Sequence, residues 1–397
     1  MDLDLVFLGT SASMPTALRA PAAFLVRRGG ERLLFDCAEG TQRQLQRSAV
    51  GLPDLEEIFL THLHADHVLG LPGMLKTFAL RGRDEVGLTV YGPKGVRDLF
   101  GKLKPFLGRL PYPLTIVELA PKETLDRGEY VIETFPVDHG VSAVGYALVE
   151  HERPGQFDVA AADALGVPAG RERGILQGGG PVTLADGSVV TPDAVLGPAR
   201  PGRKLVITGD TAPAPSVVQA AHRADLLVHE ATFADGEKER ARETLHATAA
   251  EAAEVARLAE VKLLALTHVS TRYFGAELAR QARAIFPETV VPRDFDVVDI
   301  PFAERGGPQL LKGAGRPPRK LTYDQTAMSR MIQVAAANDV TEAEGLQELL
   351  RNAGIEAEVE AADGEDGLMV MVPETTLEAA QDAIEALSEP DDLIVEP

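Results

Sequence analysis

The sequence contains a single cysteine, Cys37, among its 397 residues, so an internal disulfide framework is excluded. Its apolar runs are short, and none approaches the roughly 20 residues that a transmembrane helix needs. The first residues, MDLDLVFLGT, carry acidic side chains where a signal peptide carries basic ones. These absences argue against a membrane protein or a secreted protein, and they predict a cytoplasmic location.

Positive charge is scarce in the last fifth of the chain. Residues 321–397 contain 19 Asp or Glu against two Arg, a net charge of −17. Because the whole chain carries −21, residues 1–320 carry only −4, from 37 basic and 41 acidic residues. The acidity therefore belongs to the tail, and it does not exclude a polyanionic substrate for the main body.

Short apolar segments recur along the main body, and each ends in Gly, Asp, His or Thr. They predict strands that carry polar side chains at their carboxyl ends. Helical patterns lie between several of them, for example HATAAEAAEVARLAE, which is rich in Ala and Glu. Strands that alternate with helices predict an α/β fold built in layers.

Two segments rich in glycine and proline interrupt this pattern and suggest how the chain is divided. Residues 151–203 read as an insert outside the core of a main domain, 1–308. Residues 309–320, which contain LKGAGRPPRK, read as a linker. Beyond them, 321–397 predicts a small acidic α/β domain, for which a ferredoxin-like arrangement is one option. Its predicted elements are a strand in SRMIQVAAAND, a helix in TEAEGLQELLRNAG, a hairpin in IEAEVEAADGEDGLMVMV and a second helix in TTLEAAQDAIEAL.

The segment THLHADHVLG places three histidines and one aspartate within six positions. We expect EEIFLTH to be a strand, so that His62 and His64 project to the same side at its end. Asp66 and His67 follow as the chain turns into a helix. Imidazole and carboxylate groups suit zinc, with manganese or iron as alternatives. One ion takes three or four protein ligands, so this cluster predicts two metal ions.

Further metal-binding side chains stand at the ends of later strands. VDHG supplies His139, VITGD supplies Asp210 and LALTH supplies His268. Each of these residues alone is more often a capping or buried structural residue, but together they complete a set of ligands for two ions.

This series of ligands, in this order, resembles the metallo-β-lactamase superfamily. Within it, residues 1 to about 305 resemble the ribonuclease Z family of tRNA 3′-processing endonucleases. The resemblance extends to FLGTSASMPT, LLFDCAEGTQRQ, HEATF, LHATAAEAAEVA and THVSTRY. The insert at 151–203 resembles the flexible arm with which these enzymes grip precursor tRNA.

The resemblance implies an αββα sandwich that is active as a homodimer. One zinc ion would be held by His62, His64 and His139. The other would be held by Asp66, His67 and His268, and Asp210 would bridge the two ions.

The resemblance also implies roles in catalysis. Asp66 is the family's proton acceptor, and Glu230 would orient His246, which donates a proton to the departing ribose 3′-oxygen. From its position at the start of an Ala-rich helix alone, a helix cap is the alternative reading of His246. Asp36, at the end of RLLFD, is expected to accept a hydrogen bond from a ligand histidine; a plain turn residue is its alternative reading.

Candidate substrate contacts follow the last ligand and lie in the insert. Ser270, Arg272 and Tyr273 come directly after His268, and Arg272 is the best phosphate donor among them. Arg171 and Arg173 of the insert are further candidates for binding phosphate groups.

The sequence departs from the family at two places. Many relatives carry Pro-x-Lys-x-Arg-Asn in a loop that rejects tRNAs already ending in CCA, but here Ala17 and Ala20 replace Lys and Asn. Discrimination against CCA is therefore left open. The family's His-Ser-Thr is His-Ala-Thr here, with Ala247 in the middle.

Other functions on the same metal motif are less consistent with the sequence. A lactonase, a thioesterase or a small-molecule phosphodiesterase needs neither the insert nor Glu230 and His246. A β-lactamase is disfavoured because Asp210 stands where a cysteine is often found. RNase J-like and cleavage-factor nucleases carry a large additional domain that has no counterpart here. An inactive RNA-binding scaffold would lack ligands, and none is missing. The partner of the acidic tail stays unknown.

Overall fold

The protein is described by a computed structural model, which covers residues 1–52, 55–316, 331–337, 340–352, 354–361, 368–373, 376, 380–381 and 384. Its contacts divide the chain into two units, Met1–Pro318 and Arg319–Pro397. No helix among these residues is long and apolar enough to cross a lipid bilayer.

The strands of the first unit are short, as the sequence predicts. They are β1 Leu3–Gly9, β2 Ala23–Arg28, β3 Glu31–Phe35, β4 Glu57–Phe59, β5 Leu88–Gly92, β6 Leu114–Glu118, β7 Thr124–Asp126, β8 Tyr130–Pro136, β9 Val144–Glu150, β10 Val182–Thr183, β11 Val189–Val190, β12 Lys204–Ile207, β13 Leu226–Glu230, β14 Leu263–Thr267, β15 Thr289–Val290, β16 Val297–Asp299 and β17 Gln309–Leu311.

Helices connect many of these strands. They are α1 Thr41–Arg47, α2 Ala65–Val68, α3 Leu71–Leu80, α4 Val96–Leu107, α5 Val159–Ala164, α6 Arg171–Gln177, α7 Pro215–Ala221, α8 Lys238–Thr244, α9 Ala249–Leu258 and α10 Gly275–Arg283. The Ala-rich pattern predicted as a helix is α9, and Thr248 caps its first turn by accepting from the backbone N–H of Glu251 at 3.2 Å.

Two mixed sheets form the centre of the first unit. One has the strand order β17-β16-β1-β2-β3-β4-β5-β6, and the other has the order β15-β14-β13-β12-β9-β8-β7. Both contain a parallel segment, β3 to β6 in the first and β12 to β15 in the second. The carboxyl ends of parallel strands meet at one edge of a sheet, which is where polar side chains can converge.

The apolar core lies in three layers around the two sheets. Side chains of both sheets pack against each other in the middle, where the rings of Phe35 and Phe59 stack at 5.0 Å and Tyr146 packs edge-on against both. Helices α1, α3 and α4 cover the outer face of the first sheet, and α7, α9 and α10 cover the second. The predicted αββα sandwich is confirmed.

The insert at 151–203 is a small folded lobe. It contains α5, α6 and the β10–β11 hairpin around a core of its own, which consists of Ala162, Val167, Leu176, Val182, Val190 and Val195. At its base the backbones of Arg153 and Arg200 pair with N–O distances of 2.8 and 2.9 Å, and both side chains bind Glu304. We call residues 151–203 the arm.

The predicted linker at 309–320 is wrong over its first residues. Gln309–Leu311 form β17, which pairs with β16, and Leu310 packs against the central core. The backbone N–H groups of Gly313 and Gly315 bond to Asp296 and to the carbonyl of Phe295, each at 2.7 Å. An apolar side chain and these hydrogen bonds hold the segment to the main body in spite of its Gly and Pro content.

The second unit contains strands β18 Met331–Ala337, β19 Glu358–Ala361 and β20 Leu368–Pro373, and helix α11 Val340–Asn352. The sheet is antiparallel with the order β18-β20-β19. Its strands and first helix lie where the sequence predicts them. Most of the second predicted helix, over TTLEAAQDAIEAL, lies outside the described residues, so the ferredoxin-like arrangement stays a prediction.

Candidate active site

The predicted ligands follow strands of both sheets, either on loops or in the short helix α2. Strand β4 ends at Phe59, so His62 and His64 lie beyond it, and the predicted alternation along a strand does not place them. Thr61 and the start of α2 place them instead, since His64 is the N-cap residue of that helix and Asp66 and His67 lie within it. From the second sheet come His139, Asp210 and His268, after β8, β12 and β14.

Three imidazoles converge on one point. Nδ1 of His64 lies 3.0 Å from Nε2 of His62 and 3.1 Å from Nε2 of His139. The other ring nitrogen of His139, Nδ1, lies 3.1 Å from the carbonyl oxygen of Leu245, which can only accept. His139 therefore carries its proton on Nδ1 and turns the lone pair of Nε2 toward the other two rings.

Four further groups form a second cluster beside the first. Nε2 of His268 lies 3.4 Å from a carboxylate oxygen of Asp66 and 3.4 Å from one of Asp210. Nε2 of His67 lies 3.8 Å from Asp66 and 3.5 Å from Asp210, and it is buried without a hydrogen-bond partner among the described residues. Asp210 also lies 3.8 Å from His62 and from His139, so it stands between the two clusters.

These groups fit metal cations. Nδ1 of His67 donates to Asp36 at 2.8 Å, which leaves Nε2 to face the carboxylates. Lone pairs that converge at about 3 Å, and a buried nitrogen without a partner, are what a site for cations requires. The ligand atoms of His62, His64 and His139, and those of Asp66, His67, Asp210 and His268, lie within 4.8 Å of one another in each group.

Burial and charge set the ionisation of the cluster. Burial alone would raise the pKa of Asp66 and of Asp210, but the surrounding imidazoles, among them His67 and His268, lower both pKa values below the ordinary range. Burial and the neighbouring imidazoles lower the pKa of His62. The two aspartates are therefore ionised and His62 is neutral at pH 7, which are the forms that bind a cation. Burial alone would lower the pKa of His67, but Asp210 and Asp36 outweigh it and raise that pKa, so a cation would bind at Nε2 in place of a proton.

Glu230 and His246 form a pair next to the second cluster. Nδ1 of His246 donates to a carboxylate oxygen of Glu230 at 2.7 Å. Glu230 is buried, and it accepts three further hydrogen bonds from backbone N–H groups, those of Thr211, Thr232 and Ala247. Burial alone would lower the pKa of His246, but the charge of Glu230 outweighs it and raises that pKa to about 9. The carboxylate is held rigidly, and it favours a protonated His246.

Three residues near the site have left-handed backbones although none is glycine. Asp36, Leu245 and His268 have φ angles of 56°, 56° and 58°. Such residues cost of order 1 kcal/mol or more each and persist where the surrounding structure holds them. Gly209, with φ 64°, precedes Asp210 and lies so close to Thr61 that a side-chain carbon there would be 2.6 Å from it.

The candidate substrate residues are placed in two regions. Ser270, Arg272 and Tyr273 follow His268 directly; Arg272 binds Glu237 at 3.0 Å, and the hydroxyl of Tyr273 is buried without a partner among the described residues. Arg171 and Arg173 lie in the arm, where Arg173 binds Asp163 and the carbonyl of Val167. Arg171 is exposed.

The loop at residues 15–20 is anchored by a buried hydrogen-bond network. The sequence gave no indication of this network. Asp294 accepts hydrogen bonds from Thr10, Gln44 and the backbone N–H of Ala20, each at 2.7 Å. Arg19 donates to the hydroxyl of Thr10 at 2.7 Å. Burial raises the pKa of Asp294 to about 7, against these hydrogen bonds, which lower it.

Ionisation of Asp294 should make stability depend on pH. Its folded-state pKa lies above its ordinary value of 3.8, so the folded protein keeps a proton that the unfolded chain loses between these values. We expect the free energy of unfolding of the wild type to fall, relative to Asp294→Asn, as the pH rises from about 4 to about 7. Urea unfolding of both proteins at a series of pH values measures the difference, and a difference that does not change with pH would contradict the prediction.

Known proteins with similar sequences carry the same kind of metal-binding fold. The metallo-beta-lactamase superfamily model matches residues 17–153. Ribonuclease Z of Haloferax volcanii is 46% identical over 312 residues, which cover 77% of this chain and 98% of that protein. The chain belongs to the ribonuclease Z family. It is a hydrolase, an endoribonuclease of the ribonuclease Z type.

Other members of the family and a solved structure agree. Ribonuclease Z of Gemmatimonas aurantiaca is 45% identical over 309 residues, 77% of this chain and 98% of that protein. The crystal structure of the short form of human tRNase Z is 28% identical, with a TM-score of 0.55, and the match covers 75% of this chain and all of that one. The family resemblance drawn from the sequence is confirmed.

Proposed function

We propose that this protein is a zinc-dependent endoribonuclease that removes 3′ trailers from precursor tRNA, leaving a 3′-hydroxyl on the tRNA and a 5′-phosphate on the trailer. The observation that carries this proposal is the pair of Glu230 and His246, 2.7 Å apart, beside seven convergent ligand groups in a chain of the ribonuclease Z family. The relatives are ribonucleases, which supports RNA as the substrate, and the similar human structure is a tRNase Z, which supports tRNA.

Two zinc ions fit the residues present. His62, His64 and His139 would hold one ion, Asp66, His67 and His268 would hold the other, and Asp210 would bridge them. Such ions would lower the pKa of the attacking water toward neutrality and relieve the negative charge of the phosphate.

The chain's own side chains then handle the protons. Asp66 accepts the proton of the attacking water, whose oxygen forms a bond to phosphorus as the bond to the ribose 3′-oxygen breaks. His246, held at Nδ1 by Glu230, gives its Nε2 proton to that departing oxygen. An ionised acceptor on one side of the phosphate and a protonated donor on the other match the pKa directions of the two residues.

The arm is proposed to bind precursor tRNA away from the scissile bond. It carries five arginines against six acidic residues, so its net charge alone does not attract RNA. Arg171 and the backbone N–H groups of its glycines are the candidate phosphate contacts, while Arg173 already bonds within the arm. Arg272 next to the site would contact the phosphate there once it leaves Glu237.

Deletion of residues 155–195 should raise KM for precursor tRNA by about tenfold or more, since each 1.4 kcal/mol of lost binding is a factor of ten. It should leave hydrolysis of bis-p-nitrophenyl phosphate unchanged, because the arm has its own core and its base at Arg153 and Arg200 is retained. Steady-state kinetics on both substrates measure this. Equal losses on both substrates would mean that the arm does not act in tRNA binding.

The proposed function is tested by mapping both product ends of one precursor tRNA, supplied with and without CCA. A cut just 3′ of the discriminator base that leaves a 3′-hydroxyl supports the proposal. Cleavage of the CCA-ended substrate would show that Ala17 and Ala20 have removed the discrimination typical of the family. Hydrolysis of a small phosphodiester with no cleavage of tRNA would overturn the substrate assignment.

The organisation of the protein is proposed on the same basis. We propose a cytoplasmic homodimer in which the first unit, Met1–Pro318, catalyses the reaction and residues 321–397 form an accessory domain. Size-exclusion chromatography with light scattering on the full chain tests the dimer.

A further inference from the structure

Two buried carboxylates hold four imidazoles of the site, and they do so in the same way. Asp36 accepts directly from His67 at 2.8 Å, and it also accepts from the hydroxyl of Thr61 at 2.9 Å, which lies 3.1 Å from Nδ1 of His62. Glu230 accepts directly from His246. Thr232 repeats the arrangement there: its hydroxyl lies 2.6 Å from Glu230 and 2.8 Å from Nδ1 of His268.

The single hydroxyl proton of Thr232 decides the tautomer of His268. An ionised carboxylate oxygen at 2.6 Å can only accept, so Thr232 donates its proton to Glu230. Toward His268 the same oxygen must then accept, which places a proton on Nδ1 of that ring. With Nδ1 occupied in this way, Nε2 is the nitrogen that faces Asp66 and Asp210, each 3.4 Å away, and the one that a cation would take.

The contact is closed to solvent, so water does not replace it. Glu230 is 1% exposed, His268 is 2% exposed and Thr232 is 8% exposed. His246 lies 3.3 Å from the same hydroxyl, but its Nδ1 proton is already directed at the other oxygen of Glu230, at 2.7 Å. The hydroxyl of Thr232 thus donates one hydrogen bond, to Glu230, and accepts one, from His268.

We propose that Thr232 is a positioning residue. Glu230 holds His246 directly, and through the hydroxyl of Thr232 it also holds the ligand His268. Glu230 then has two duties: it holds the proton donor directly, and it fixes the tautomer and orientation of a metal ligand through Thr232. Thr61 has the equivalent place between Asp36 and His62, which makes it an internal comparison.

The inference rests on the proposed zinc centre. It predicts which of the two metal clusters loses affinity when the hydroxyl of Thr232 is removed. Groups that orient a ligand histidine typically change metal affinity about 10–100-fold when they are removed. Thr232→Val keeps the shape of the side chain and removes the hydroxyl. It should weaken zinc binding by that factor at the cluster of Asp66, His67 and His268, and leave the cluster of His62, His64 and His139 unchanged.

The experiment is a titration of metal-free full-length protein with Zn²⁺ in competition with a chromophoric chelator. Thr232→Val is compared with Thr232→Ser, which restores the hydroxyl, and with Thr289→Val as a matched control. Thr289 is 2% exposed, and its hydroxyl bonds the carbonyl of Phe286 at 2.6 Å, away from the site. We expect two equivalents for the wild type, one weakened step in Thr232→Val, and wild-type binding in Thr232→Ser and in Thr289→Val.

Each outcome decides a different point. If the wild type binds no zinc, the metal centre itself is wrong. If the wild type binds two equivalents and Thr232→Val binds both with unchanged affinity, the positioning role is wrong. Should Thr232→Val not fold, Thr232→Ala removes the same hydroxyl from a smaller side chain and must show the same single weakened step. Thr61→Val should weaken the other step, and weakening of the same step by both variants would also overturn the proposal.

Discussion

Replacing Asp66 by alanine should reduce cleavage of precursor tRNA by at least about 1,000-fold, within the range that acid–base groups contribute. Asp66 faces His268 at 3.4 Å and His67 at 3.8 Å, and its pKa lies below the ordinary range because these imidazoles outweigh burial. The substitution therefore removes an ionised ligand and the proton acceptor together. Single-turnover cleavage of one labelled precursor measures the loss.

The two roles of Asp66 can be separated by its substrates and its metal content. Loss of a ligand lowers zinc binding at the second cluster, and loss of the acceptor lowers the chemical step for every phosphodiester. Hydrolysis of bis-p-nitrophenyl phosphate should consequently fall as well. Asp84→Ala, which changes an exposed aspartate, is the control and should retain wild-type rates. Wild-type cleavage by Asp66→Ala would refute both roles.

Local spacing explains why the metal cluster is visible in the sequence. His62, His64, Asp66 and His67 fall within six positions, so any compact backbone there keeps them close. The distant ligands are visible because strands of similar length end in polar residues, and β12 and β14 run parallel and bring their ends to one edge. The structure brings all seven side chains together, although β4 is too short for the alternation that was expected of it.

The hydrogen bonds made by Thr61, Thr232 and Asp294 were not predictable in this way. Thr61 and Thr232 lie inside the motifs THLH and HEATF, but a threonine next to a ligand has no spacing that marks which way its hydroxyl points. Asp294 and Thr10 are 284 residues apart and meet only because of the tertiary fold. The apolar residues of the arm have no regular period and lie among glycines and prolines, so the sequence did not predict that the arm has a core of its own.

Replacing His246 by alanine should lower kcat for precursor tRNA about 100- to 10,000-fold, the range for a general acid. The ribose 3′-oxygen is a poor leaving group and needs a proton as the bond to phosphorus breaks. His246 is held for this step by Glu230 at 2.7 Å, and the charge of that carboxylate raises its pKa to about 9. Rapid-quench measurement of the cleavage step at saturating substrate gives the effect on chemistry alone.

The leaving group distinguishes this role from a structural one. The p-nitrophenolate ion departs without a proton, so His246→Ala should hydrolyse bis-p-nitrophenyl phosphate at close to the wild-type rate, whereas Asp66→Ala should not. His222→Ala, at an exposed histidine, is the matched control and should keep both activities. Glu230→Gln should follow His246→Ala on tRNA, because the amide no longer supplies the charge that holds the ring protonated. If His246→Ala loses equal activity on both substrates, the ring supports the metal cluster and is not the proton donor. Its centroid lies only 4.9 Å from that of His139 and 5.5 Å from that of His268.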